Sequence, residues 1–186
     1  MGICDSCNSV NKYPIQSSGQ PNINMRQNMI NDGNSKKDKN ISFSCTYEVN
    51  DVNNDIQIIN NRFGKYINEE IESKIKILNN GQKEKLVFKK KFDRKGKNII
   101  DFIIEGKLND MSLMFSECIA LKTIDFISFE TDQVIKMDSM FEGCNELEYL
   151  DLSNFNTINV SDMGWMFNEC HKLKEIKGIE NFNTIK

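Results

Sequence analysis

Asp110-Met111-Ser112-Leu113-Met114-Phe115-Ser116-Glu117-Cys118-Ile119-Ala120-Leu121 recurs as Met137-x-x-Met140-Phe141-x-x-Cys144-x-x-Leu147 and again as Met163-x-x-Met166-Phe167-x-x-Cys170-x-x-Leu173. The spacing is 26 residues each time, and a fixed period of that size is the signature of stacked repeats, an architecture built mainly for binding. Met163, Met166, Phe167 and Cys170 fall at i, i+3, i+4 and i+7, so the spacing predicts a short helix with one apolar face, with Ser161 or Asp162 as its N-cap. Beyond the cysteine the period changes to two. Leu150 and Leu152 alternate with Tyr149, Asp151 and Ser153, the pattern of a strand with one buried face. Phe155 and Val160 then turn the chain toward the next helix, and their counterparts Phe129 and Val134 lie one period earlier. The expected fold class is therefore α/β: a short solenoid of parallel strands and short helices, with about three rungs.

The string Leu147-Glu-Tyr-Leu150-Asp151-Leu152-Ser153-Asn154-Phe155-Asn156-Thr157, followed by Val160-Ser-Asp162-Met163-Gly-Trp-Met166-Phe167-Asn-Glu-Cys170, resembles the BspA-like leucine-rich repeat surface proteins, also called mycoplasma lipoprotein-type repeats. The resemblance covers roughly residues 98–186, with the Met-Phe, Cys and Asp-Leu-Ser elements in register. It implies a curved leucine-rich solenoid, a loose role in adhesion or protein binding, and no catalytic residue. Two departures stand out. Gly178 lengthens the last turn by one residue, and the chain stops at Lys186 where the next helix of the pattern would begin. A truncated reading frame, a short paralogue and an edge capped by a partner all fit that ending. An uncovered apolar rung favours self-association.

The other end carries a different signal. Met1-Gly2-Ile3-Cys4-Asp5-Ser6 fits the pattern for N-myristoylation on Gly2, with Cys4 and Cys7 placed for palmitate. One myristoyl chain binds membranes only marginally, so a second acyl chain or a basic patch is required. Both are present: Lys83, Lys85, Lys89, Lys90, Lys91, Arg94, Lys95 and Lys97 face only Glu84 and Asp93 within residues 83–97. These eight cations form the expected membrane-facing patch. The pair Cys4 and Cys7 is not a zinc site by itself, which needs four ligands, and a redox CxxC belongs at a helix start. Neither a basic-then-apolar leader nor an 18-residue apolar run is found, which places the chain on the cytoplasmic face of a membrane. The alternative is an exported, adhesin-like surface protein whose true N-terminus lies upstream. Sequons at Asn40 and Asn159 matter only in that case.

Composition sets the remaining bounds. The chain has 186 residues, 39% of them hydrophobic, and a net charge of −3, so bulk charge does not favour nucleic acid. Charge is uneven: residues 1–40 carry five basic and three acidic groups, 41–104 twelve and nine, and 105–186 seven and fifteen. That distribution suits a front half facing an anionic leaflet, or simply solvated faces. Residues 8–40, rich in Asn, Ser, Gln and Gly, read as a disordered linker. Residues 41–97 read as a β-rich capping domain, with strands at 42–49, 56–59, 74–78 and 85–88 and a turn at Asn80-Gly81. Residues 98–104 read as the first strand of the repeats, since Ile100-Asp101-Phe102 resembles Ile124-Asp125-Phe126.

No cofactor, metal or catalytic group is expected. His171, the only histidine, shares its repeat position with Ile119 and Asn145, and the column of Cys118, Cys144 and Cys170 reads as small-residue packing. An unidentified protein partner should meet the outward strand positions, where Thr123, Tyr149 and Glu175 form one column and Asp125, Asp151 and Lys177 another. Tyr149 is the natural anchor. The aspartates also suit a structural role, bonding turn amides.

Overall fold

The computed structural model describes residues 42–183. Alternating apolar and polar residues along Phe43-Ser-Cys-Thr-Tyr-Glu-Val49 give the first strand, β1 (Phe43–Val49), with Phe43, Cys45, Tyr47 and Val49 all buried. Short strands β2 (Ile56–Gln57), β3 (Arg62–Phe63) and β4 (Tyr66–Ile67) follow. Next comes helix α1 (Glu69–Lys74), then β5 (Ile75–Asn79), β6 (Gln82–Lys85), β7 (Lys89–Lys90) and β8 (Gly96–Ile104). The repeats contribute β9 (Leu121–Phe126), β10 (Tyr149–Asp151) and β11 (Glu175–Lys177), with a 3₁₀ turn at Ile179–Asn181.

The principal sheet has five strands in the order β6-β5-β8-β1-β9, and every pairing in it is antiparallel. β5 and β6 meet at Asn80-Gly81, both at positive φ (49° and 78°), as a two-residue type I′ hairpin requires. β1 lies between β8 and β9, so that Phe43 is opposite both Phe102 and Phe126, and Ser44 opposite both Asp101 and Asp125. Phe43 stacks on Phe102 at 4.8 Å and meets Phe115 edge-on at 5.6 Å, joining the sheet to the first repeat. The sheet thus contains strands from both sides of residue 97.

This architecture overturns the expected α/β solenoid. Among the described residues the α-helix is confined to the six residues of α1, and the only named parallel strand pair is β10 with β11, three residues each. The segments read as short helices are runs of tight turns. Leu113, Glu117, Ser139, Gly143, Trp165 and Glu169 all sit at positive φ, between 52° and 71°, which a right-handed helix does not tolerate. Each such residue rotates the next peptide plane, and the amides therefore alternate in direction. Those of Met114, Ser116 and Cys118 close turns on Met111, Leu113 and Phe115, while those of Met111, Leu113, Phe115 and Glu117 donate to Lys136, Asp138, Met140 and Glu142 in the following repeat. Met137, Ser139, Phe141 and Gly143 do the same toward Asp162, Gly164, Met166 and Asn168. Met111, Met114, Phe115 and Cys118 are buried all the same, as are Met137, Met140, Phe141 and Cys144. A turn run and a helix can bury the same i, i+3, i+4, i+7 set, which is why periodicity read one as the other.

The expected parallel neighbour relation of β8 and β9 is also lost, because β1 inserts between them. Its apolar residues Phe43, Cys45, Tyr47 and Val49 are buried between the two strands, and Ser44 donates a hydrogen bond to Asp101.

Candidate interaction surfaces

The outward column on the repeats forms between β10 and β11, where Tyr149 is opposite Glu175 and Asp151 opposite Lys177. Thr123 is half-buried on β9, opposite Thr46 of β1, and β9 lies beside β10. Asp151 accepts the Ser153 amide at 3.0 Å and the Lys177 ammonium at 2.9 Å. Partial burial pushes its carboxyl up, but the bonds from Ser153 and Lys177 outweigh that and hold it below the ordinary value. Asp151 thus does the turn-bonding work of an Asx residue while also pairing across the repeat. Similar ion pairs join Lys122 to Glu148 at 3.1 Å and Lys172 to Glu146 at 2.7 Å, each one period apart. What this face leaves for a partner is the half-buried Tyr149 ring, its phenol raised by burial and by Asp151, and the exposed Glu175.

The eight cations of residues 83–97 divide into two groups. Lys83 and Lys85 lie on the edge strand β6 and are engaged by Glu105 at 3.0 Å and Glu72 at 3.9 Å. Lys89 and Lys90 form β7 opposite Gln57 and Ile56, while Lys91, Arg94 and Lys95 follow in a loop and Lys97 is the second residue of β8. That loop is well anchored. Phe92 is buried with its ring 6.2 Å from Tyr47, and the Asn98 amide donates to the Arg94 and Gly96 carbonyls at 3.1 and 3.0 Å. Among the described residues, none of Lys89, Lys90, Lys91, Arg94, Lys95 and Lys97 forms an ion pair.

Gly2, Cys4 and Cys7 lie outside the described residues, as does the linker 8–40. His171 is exposed. The thiols of Cys144 and Cys170 donate to the carbonyls of Phe115 and Phe141 at 3.0 Å, each bonding a turn of the preceding repeat. Burial pushes the Cys45, Cys118 and Cys144 thiols far up, away from the nucleophilic thiolate form. Among the described residues no cluster of three His, Cys, Asp or Glu side chains is placed to hold a metal ion, and no helix is long and apolar enough to cross a membrane.

Sequence reading missed the hairpin formed by β3 and β4. Phe63 on it is 68% exposed. The glycine in Phe63-Gly64-Lys65-Tyr66 was the available signal, but strands of two residues carry no measurable alternation.

The turn repeats lie within a match to a known family. Residues 84–186 fit the family described as Mycoplasma protein of unknown function, DUF285. The chain belongs to this family. The DUF285 match starts on β6 and takes in the basic loop, β8 and all three turn repeats, but not β1 or the β3–β4 hairpin. No curated protein and no solved structure matches the chain.

Proposed function

We propose that the protein is a non-catalytic interaction module, held on the cytoplasmic face of a membrane by myristate on Gly2 and palmitate on Cys4 or Cys7. In this reading the repeat face around Tyr149 and Glu175 meets a protein partner. The observation that carries it is the pairing of two membrane signals in one chain: the Met1-Gly2-Ile3-Cys4-Asp5-Ser6 start and a basic loop whose six cations have no carboxylate partner among the described residues. Either signal alone is too weak for stable residence, and together they suffice. The likeness of the repeats to BspA-like proteins supports a binding role for the other face.

Intact mass of the protein from its own cells, with a Gly2→Ala variant fractionated alongside, tests the tether. The expected result is a myristoyl increment, further hydroxylamine-labile mass on the cysteines, and a Gly2→Ala variant shifted to the soluble fraction. An unacylated mass would sink the tether, and glycans at Asn40 or Asn159 would establish an exported protein instead.

A further inference from the structure

The β3–β4 hairpin pairs Arg62 with Ile67 and Phe63 with Tyr66 around Gly64-Lys65, with Gly64 at φ +59° in the first turn position. Phe63, Tyr66 and Ile67 are 68, 42 and 41% exposed: Phe63 projects with its cross-strand partner Tyr66 on one face of the ribbon, and Ile67 lies on the other. This exposure is built in. The Tyr66 hydroxyl donates to Asp110 at 2.6 Å, and the Asn68 amide donates to the Asp110 and Ser112 carbonyls at 3.0 and 3.2 Å. The Asn60 backbone amide bonds Met114 on the strand's other flank. The base of the hairpin is therefore fixed to the first turn repeat while its tip projects.

Charge distinguishes this projection from most of the other exposed apolar residues; Val87 and Ile99 share the basic stretch but each stands singly on its segment. Ile119, Ile127, Ile135, Ile158 and Trp165 belong to residues 105–186, where acidic groups outnumber basic ones fifteen to seven. The hairpin carries Arg62 and Lys65 and no carboxylate. Behind it a hollow lined by Gln57, Asn61, Arg62, Ile67, Glu72 and Phe88 joins it to the start of the basic loop, since Lys89 follows Phe88 and pairs with Gln57. Of the nearby carboxylates on α1, Glu72 is engaged by Lys85, and Glu70 by Lys74 and the amides of Asn109. Glu69 is the one left exposed without an ion pair among the described residues.

The geometry points to an anionic lipid surface as the occupant of this projection, with Phe63 inserted at the headgroup level and Arg62, Lys65 and the Lys89–Lys97 loop over the phosphates. A Phe side chain beside basic groups buries favourably at the headgroup–acyl boundary, and basic residues beside an anionic leaflet add attraction. This inference rests on the membrane reading above, but it supplies a contact that needs no acyl chain.

The test uses the full-length chain produced unacylated in bacteria and sedimented with phosphatidylcholine vesicles, with and without phosphatidylserine. Binding is expected only with phosphatidylserine, weakened about fivefold by Arg62→Ala or Lys65→Ala and about tenfold by Phe63→Ser. Ile158→Ser, an exposed apolar change on the acidic part, should leave binding unaltered, and circular dichroism should be the same for all variants. Absence of vesicle binding, or binding unchanged by Phe63→Ser, overturns the proposal. If the unacylated chain binds through Phe63 while protein from native cells carries no lipid, the hairpin stands and the tether falls. Acylated native protein whose unacylated form ignores phosphatidylserine gives the reverse.

Discussion

Gly178 shows how much a single position can decide. It sits at φ +84°, and a Cβ there would come within 2.5 Å of the Ser153 backbone, so both conformation and space require glycine. The extra residue in the last turn is thus a point where the main chain of the last repeat runs directly against that of the repeat before it. Gly178→Ala should destabilise the protein by about 2–4 kcal/mol, the left-handed cost plus the displacement of main chain. Gly96→Ala makes the comparison: φ is again +84°, but nothing lies within 4 Å, so only the backbone cost of about 1–2 kcal/mol applies. Urea unfolding of the two variants measures the difference, and equal losses would mean that the close approach at Ser153 is not rigid. Other residue-level features left no trace in the sequence. Leu113, Glu117, Ser139, Trp165 and Glu169 adopt positive φ without being glycine, and of the six such turn positions only Gly143 announces it.

Among the elements, β1 governs the architecture. Its local character was legible, because Phe43, Cys45, Tyr47 and Val49 alternate with polar residues. Its neighbours were not, because a strand's pattern says which face is buried and nothing about what lies at its edges. Phe43 touches Phe102 on one side, Phe126 at 6.4 Å on the other, and Phe115 and Phe129 edge-on. Phe43→Ala should therefore cost about 3–5 kcal/mol, against less than about 0.5 kcal/mol for Ile99→Ala on the exposed side of β8. Chemical denaturation checks both, and a small loss at Phe43 would show that β8 and β9 hold together without β1. Helix α1 was missed for a related reason. Asn68 caps it by accepting the Glu70 amide, and Glu69, Glu70 and Glu72 suit its first turn. Yet six residues include one buried apolar position, Ile71, too few to register as a period.

For the molecule as a whole, pH is the simplest lever. The Glu70 carboxyl is raised by burial but held below its ordinary value by the Asn109 and Asp110 amides; Glu148 is lowered by Lys122, and Asp151 by Ser153 and Lys177 against its own burial. Each folded-state value lies below the unfolded one. Their contribution is therefore complete above the ordinary carboxylate range near 4 and is lost as pH falls through the depressed values. The thermal midpoint should hold from pH 7 to 5 and then fall toward pH 3. Added salt should weaken the Glu148 share more than that of Glu70, whose partners are mainly amides. A flat profile would show that these bonds are equally available in the unfolded chain.

The sequence by itself determined the 26-residue period, the Met, Phe, Cys and Leu positions that the first two repeats bury, the Asn80-Gly81 hairpin and the alternation of β1, β5 and β8. Each depends on local spacing or on the φ preference of one residue pair. Only the tertiary structure decided that the apolar runs are turns rather than helices, that β1 separates β8 from β9, and that Phe63 projects instead of packing. Those outcomes depend on which amide finds which carbonyl 25 residues away and which face is already covered, and neither condition is set by neighbours in the chain.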